Sequence, residues 1–306
     1  MKRRDFFKGA GIFGCGFALG LGTGNLSKIK NRDNNSNLEQ KSDWLPHIEI
    51  SLCYHCNLNC AGCYHCAPIA PIYFMPLDIF EKDLEQMYKI TQGKIHTIVL
   101  LGGEPLLNKK IEEYIEIARK YFKRSEIIVY TNGLLLNNMP NSFWETCKKN
   151  NVVIKHSFYP LYNKYPDLKD SYKKSEKYEV KLTSDSPRYK FVEINLNNQK
   201  LNNINKKYKD CKKKINCAVL DNGLLYPCLI IPSVKLFLNK YFTKHILPID
   251  KNDILNIYKT KSIDEIFEFY NEPKNFCKYC NYNDKQRKLW RHSKRKPEEW
   301  YKVTSL

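Results

Sequence analysis

The chain has 306 residues, 51 Lys and Arg against 32 Asp and Glu, and a formal net charge of +19. At 42% hydrophobic residues it can bury a real core, which excludes a wholly disordered chain. No apolar run approaches the eighteen or so residues of an ordinary transmembrane helix. The lysines are scattered rather than collected, the two denser places being Lys206 to Lys214 and residues 274–302. No recognisable nucleic-acid motif accompanies the charge, so nucleic acid is not expected as a partner.

Residues 1–24 stand apart. Arg3-Arg4-Asp5-Phe6-Phe7-Lys8, followed by a glycine-rich apolar stretch, resembles a twin-arginine export leader. Residues 25–46 are rich in Asn, Ser and Lys and read as a disordered linker. The pattern then changes to alternating strands and helices. His47–Leu52 reads as a strand. Pro76–Ile90 reads as a helix with proline at its start and Leu77, Phe80, Leu84 and Met87 at helical spacing. Thr97–Leu101 is a strand, Ile111–Phe122 a helix, Glu126–Thr131 a strand, Phe143–Lys149 a short helix and Val152–Phe158 a strand. This rhythm predicts an α/β fold with a parallel sheet or barrel. Residues 160–210 give one further strand, Phe191–Leu196. A β-hairpin follows, with Ala218–Leu220 and Leu224–Ile230 flanking an Asn-Gly turn, and a helix lies near Ile263–Tyr270. A boundary near residue 205 divides a core, residues 47–205, from a C-terminal domain, residues 206–306. Asp78, Glu81 and Asp83 read as acidic residues favoured by a helix dipole. Trp290, Trp300 and Tyr301 read as packing against the C-terminal domain.

The twelve cysteines carry the chemistry. Five lie between Cys53 and Cys66, and five more are Cys211, Cys217, Cys228, Cys277 and Cys280. Such dense groups suit metal ligation better than a disulfide framework, because near neighbours converge on one centre. Cys56, Cys60 and Cys63 form C-x3-C-x2-C directly after the first strand, and three thiolates can hold three irons of a [4Fe–4S] cluster. The fourth iron is left open. Cys53-x2-Cys56 with Cys60-x2-Cys63 also allows a four-thiolate zinc site. Otherwise Cys53 and Cys66 are structural thiols.

The cysteine spacing resembles that of the radical S-adenosylmethionine (radical SAM) superfamily, and Gly102-Gly103-Glu104-Pro105, after the second strand, is similar to its Gly-Gly-Glu-Pro segment. The resemblance implies a partial (β/α)6 TIM-like barrel, with SAM chelating the open iron. Gly102, Gly103, Glu104 and Pro105 would hold its methionyl amino group. Thr131 and Asn132, at the end of the third strand, and Ser157, at the end of the fourth, would also contact SAM. Relatives place an aromatic before the third cluster cysteine; here that residue is Gly62, and Tyr64 or His65 is the substitute. The C-terminal cysteines resemble the auxiliary-cluster domains called SPASM or twitch. Cys211, Cys228, Cys277 and Cys280 would ligate one auxiliary [4Fe–4S] cluster, with Cys217 the spare or in place of Cys211. A zinc ribbon is the other reading of these thiolates.

The implied activity is reductive cleavage of SAM to a 5′-deoxyadenosyl radical that abstracts hydrogen from a substrate. A flavodoxin or ferredoxin-type protein would supply the electron. A peptide is the favoured substrate over a sugar or other small molecule. The alternative is a non-catalytic iron–sulfur or zinc protein, either an electron carrier or an exported binding module. SAM and low-potential electrons favour the cytoplasm; the leader favours a periplasmic or membrane-associated protein.

Overall fold

The computed structural model describes residues 43–159, 168–184, 190–192, 196–197, 203–209, 211, 218–281 and 287–302. The leader and nearly all of the linker, Cys15 and Cys217 lie outside these residues. Residues 42–306 form one compact unit.

Five strands are laid down in parallel order: β1 (Leu45–Ser51), β2 (Ile95–Leu101), β3 (Glu126–Thr131), β4 (Val152–His156) and β5 (Lys181–Ser184). Helices α1 (Leu77–Thr91), α2 (Ile111–Tyr121), α3 (Asn141–Lys149) and α4 (Lys169–Lys177) connect them. The alternation of side chains explains why the sheet has two distinct faces. Ile98 and Leu100, Ile127 and Val129, and Val152 and Ile154 point into one core with Phe80, Leu84 and Met87 of α1 and Tyr114 and Ile115 of α2. Burying each such side chain contributes about 1.5–3 kcal/mol. Their neighbours Val99, Leu101 and Ile128 form a second, small cluster with Tyr130 and Val153. The fold is therefore α/β with a parallel sheet, as the alternation predicted.

The other edge of the sheet completes the architecture. Strand β7 (Val219–Asp221) pairs in parallel with β1, and β8 (Leu224–Tyr226) and β9 (Leu255–Asn256) follow antiparallel. One sheet thus runs across the boundary placed near residue 205. The second hairpin strand is shorter than predicted. Pro227 lacks an N–H for the ladder, and a helical run from Ile230 to Tyr241 begins soon after. Of the predicted strand Phe191–Leu196, residues 193–195 lie outside the described residues. Strand β6 (Lys190–Val192) pairs with β10 (Arg287–Leu289), while Leu196 bridges to Cys280 and Tyr301. Helix α4 and strand β5 were missed, α4 because its sequence is polar and β5 because only four residues form it.

Asp83 corrects the dipole reading. It lies in the second turn of α1, only 3% exposed. Its Oδ2 accepts from the Gly223 N–H at 2.8 Å and its Oδ1 from the Tyr258 hydroxyl at 2.5 Å. It clasps the β7–β8 turn to α1. Burial raises its pKa, and the two donors oppose that rise. Asp83→Ala leaves the Gly223 amide without its partner, and should cost about 2–3 kcal/mol. Urea melts of the two proteins check this; an unchanged midpoint would refute the clasp.

Candidate functional site

The cysteine loop leaves β1 at the C-terminal ends of the parallel strands, the edge where α/β sheets assemble their sites. Its first limb is held on two sides. Leu52 N–H donates to Leu101 O at 2.7 Å, Gly103 N–H to Cys53 O at 3.0 Å and Glu104 N–H to His55 O at 3.1 Å. On the other side Tyr54 N–H donates to Tyr73 O at 3.2 Å, and Cys53 bridges to Phe74. The glycines of Gly102-Gly103 serve this contact. An ideal Cβ on Gly103 would lie 2.1 Å from the His55 carbonyl oxygen, and one on Gly102 would lie 2.3 Å from that of Cys53. Backbone meets backbone here.

Glu104 is fully buried. Its Oε1 accepts from Thr131 Oγ1 at 2.6 Å and Leu106 N–H at 3.0 Å, and its Oε2 from Asn132 N–H at 2.7 Å. Burial, opposed by these donors, pushes its pKa up to about 7. The side chain is a strut between the ends of β2 and β3. Pro105 starts a short 3₁₀ turn beneath it. Asn132 extends the link, donating from Nδ2 to Asn57 Oδ1 at 2.7 Å and to Cys56 Sγ at 3.5 Å. Ser157 is buried, and its hydroxyl donates to Tyr130 OH at 3.2 Å. Thus Gly102, Gly103, Glu104, Thr131 and Asn132 are brought together around the cysteine loop, while Ser157 sits one strand further along.

The three cysteines fit the expected group by their chemistry. Cys56 interacts electrostatically with Cys60 and Cys63. Burial raises the pKa of the Cys56 and Cys63 thiols, a cost that a cationic iron core would offset. N–H groups already point at the sulfurs: Leu58 N–H at 3.3 Å from Cys56 Sγ, and Trp290 Nε1 at 3.2 Å from Cys60 Sγ. Cys53 and Cys66 are fully buried. The Cys53 thiol donates to Glu104 O at 3.0 Å, and burial pushes its pKa up to about 12. Cys66 belongs to a second hydrophobic core with Trp300 and Tyr301. Among the described residues no group of three or more His, Cys, Asp or Glu side chains closes around a single ion.

In the second cysteine group the described thiols interact electrostatically. Cys228 interacts with Cys277 and Cys280, and Cys277 with Cys211. Beside them Lys274 is fully buried and its Nζ has no hydrogen-bond partner among the described residues; it lies 4.0 Å from the Phe269 ring centroid. Its charge interacts with Glu272, Asp253 and Cys277.

Several residues escaped the sequence reading. Asp221, read only as part of a turn, ends β7 and is 4% exposed. Its Oδ1 accepts from Tyr54 OH at 2.9 Å and from Asn222 Nδ2 at 3.1 Å, and burial raises its pKa. Asp221, Tyr54, Ser51 and His65 line a small pocket with Phe237 and Leu236. His65 therefore faces this pocket, whereas Tyr64 packs against the second core. Trp300 was expected to pack in the C-terminal part and does, but its Nε1 also donates to Cys63 O at 2.9 Å. Trp290 reaches the first cysteine loop instead. The signal for Asp221 was its place at a strand end beside Asn-Gly; nothing in the sequence marked Trp290.

Fold and site together define an α/β protein with a three-cysteine loop closing over the C-terminal ends of its parallel strands. Residues 50–179 match the family model of the radical SAM superfamily. The GTP 3′,8-cyclase of Helicobacter pylori (strain ATCC 700392 / 26695) is 34% identical over 101 residues, 31% of this chain and 30% of that protein. The GTP 3′,8-cyclase of Aquifex aeolicus (strain VF5) is 31% identical over 129 residues, 41% of this chain and 40% of that protein. The chain thus matches about a third of the length of these curated relatives. The crystal structure of BtrN in complex with AdoMet and 2-DOIA aligns with TM-score 0.49 and 17% identity, covering 78% of this chain and 93% of that one.

Proposed function

We propose that the protein is a radical SAM enzyme. The observation that carries this reading is the convergence of Cys56, Cys60 and Cys63 with Gly102–Glu104 and Asn132 at one end of the parallel sheet. When bound there, a [4Fe–4S] cluster with SAM would supply reductive cleavage to a 5′-deoxyadenosyl radical. The chain's own part is to fix the geometry. The Gly102–Gly103 contact sets the loop's height above β2. Glu104 ties that segment to Thr131 and Asn132. Asn132 orients Asn57 and Cys56. The substrate is taken as a peptide or small molecule. GTP belongs to the names of the partial relatives and is not transferred. Cys211, Cys228, Cys277 and Cys280 would hold a second cluster. The buried Lys274 ammonium, without a hydrogen-bond partner among the described residues, supports an anionic group there. An external flavodoxin or ferredoxin would deliver the electron. Among the described residues no helix is long and apolar enough to cross a membrane, and we take the cytoplasm, with its SAM, as the working compartment.

The test is anaerobic reconstitution followed by assay of 5′-deoxyadenosine from SAM and dithionite. The triple variant Cys56→Ala, Cys60→Ala, Cys63→Ala should lose one cluster's iron and at least about 10³-fold in nucleoside formation, more than about 4 kcal/mol of barrier lowering. Bound zinc and no nucleoside from the wild type would replace this reading with a non-catalytic metal protein.

A further inference from the structure

Residues 290–301 return from the far end of the chain to cover the first cysteine loop. Ala61 N–H donates to Arg291 O at 2.9 Å and Ser293 N–H to Asn59 O at 2.8 Å, with Cys60 bridging to His292. Asn59 Nδ2 donates to Ser293 O at 3.1 Å. This short antiparallel pairing fixes the register of the segment on the loop. It brings the Trp290 indole N–H to 3.2 Å from the Cys60 sulfur, across 230 residues of sequence. The Trp290 ring is steadied by an edge contact with His292, centroids 4.9 Å apart.

From this geometry we infer that Trp290 is a positioning residue that raises the reduction potential of the cluster at Cys56, Cys60 and Cys63. The inference rests on the proposed function. Reduction adds negative charge to a cluster and its thiolates. An N–H dipole aimed at a ligand sulfur stabilises the reduced state more than the oxidised one, and hydrogen bonds to sulfur are among the factors that set such potentials. The loop's own amides accompany the cysteines wherever the loop goes. The indole arrives only when the C-terminal segment is docked, so it makes the potential depend on that docking.

The experiment uses the full-length holoprotein and follows the reduced-cluster EPR signal that changes on addition of SAM. Trp290→Phe keeps an aromatic ring and removes the donor. At the poise that half-reduces the wild type, its reduced-to-oxidised ratio should fall about tenfold, equivalent to about 59 mV for one electron. Trp300→Phe removes a donor to the Cys63 carbonyl, not to sulfur, and should titrate like the wild type. A Trp290→Phe protein with full iron and an unchanged potential overturns the inference while leaving the proposed function intact. Absence of iron at the loop in the wild type overturns both. Should Trp290→Phe fail to load, wild-type protein carrying ¹⁵N-indole tryptophan decides: a ¹⁵N hyperfine coupling to the reduced cluster supports the contact, and no coupling refutes it.

Discussion

Gly103→Ala should destabilise the apoprotein by about 3 kcal/mol or more and leave the first cysteine loop unable to take up iron. The new methyl carbon would stand 2.1 Å from the His55 carbonyl oxygen, with the Tyr54 oxygen at 2.7 Å. Both are main-chain atoms, so no side-chain rotation relieves the overlap. The loop must lift from β2, breaking the Gly103 N–H to Cys53 O and Glu104 N–H to His55 O hydrogen bonds. Gly133→Ala is the fitting comparison. Gly133 has φ +81°, but the nearest neighbour of a methyl added there, His156 Nδ1, would lie 3.4 Å away. Backbone strain alone, about 1 kcal/mol, is expected at that position. Urea denaturation and iron content after reconstitution separate the two cases. A Gly103→Ala protein that melts and loads like the wild type would show that the contact does not hold the loop.

The second large effect is a pH dependence of stability centred on Glu104. Its folded-state pKa is about 7, raised chiefly by burial, against 4.5 for the ordinary carboxyl. Between these values the folded chain retains a proton that the unfolded chain has released. Stability conferred by the protonated form is therefore full below pH 4.5, falls as pH rises through the window and is flat above about 7. The 2.5-unit difference corresponds to about 3 kcal/mol. The side chain is fully buried, so solvent screening does not reduce this. Glu104→Gln cannot titrate. The stability of the wild-type apoprotein relative to this variant should thus fall by about 2.5 kcal/mol between pH 5 and pH 8. A difference independent of pH would mean that the Thr131, Asn132 and Leu106 donors outweigh burial.

Periodicity carried most of the first half of the fold. The elements from Leu45 to His156 lie within a few residues of their predicted places, because each strand alternates and each helix repeats over a length that averages out local exceptions. Helix α4 has no such stripe: its buried residues are Ser171 and Ser175, and their spacing leaves no apolar mark. The cysteine trio was legible because its ligands are neighbours in sequence. The supports of that trio were not. Asp83 looked like a residue placed by the helix dipole, yet its role comes from Gly223 and Tyr258, 140 and 175 residues away. Trp290 and Asp221 take their meaning from parallel pairing and chain return, which are properties of topology rather than of spacing.

The pairing of residues 59–61 with 291–293 also orders events in time. During synthesis the cysteine trio emerges some 230 residues before the segment that seats beside it. A ribosome-bound chain halted before Trp290 exposes these thiols with neither their cover nor the indole donor. On the proposed function, a cluster held by these thiols would gain the indole donor only once residues 290–293 are seated on the loop.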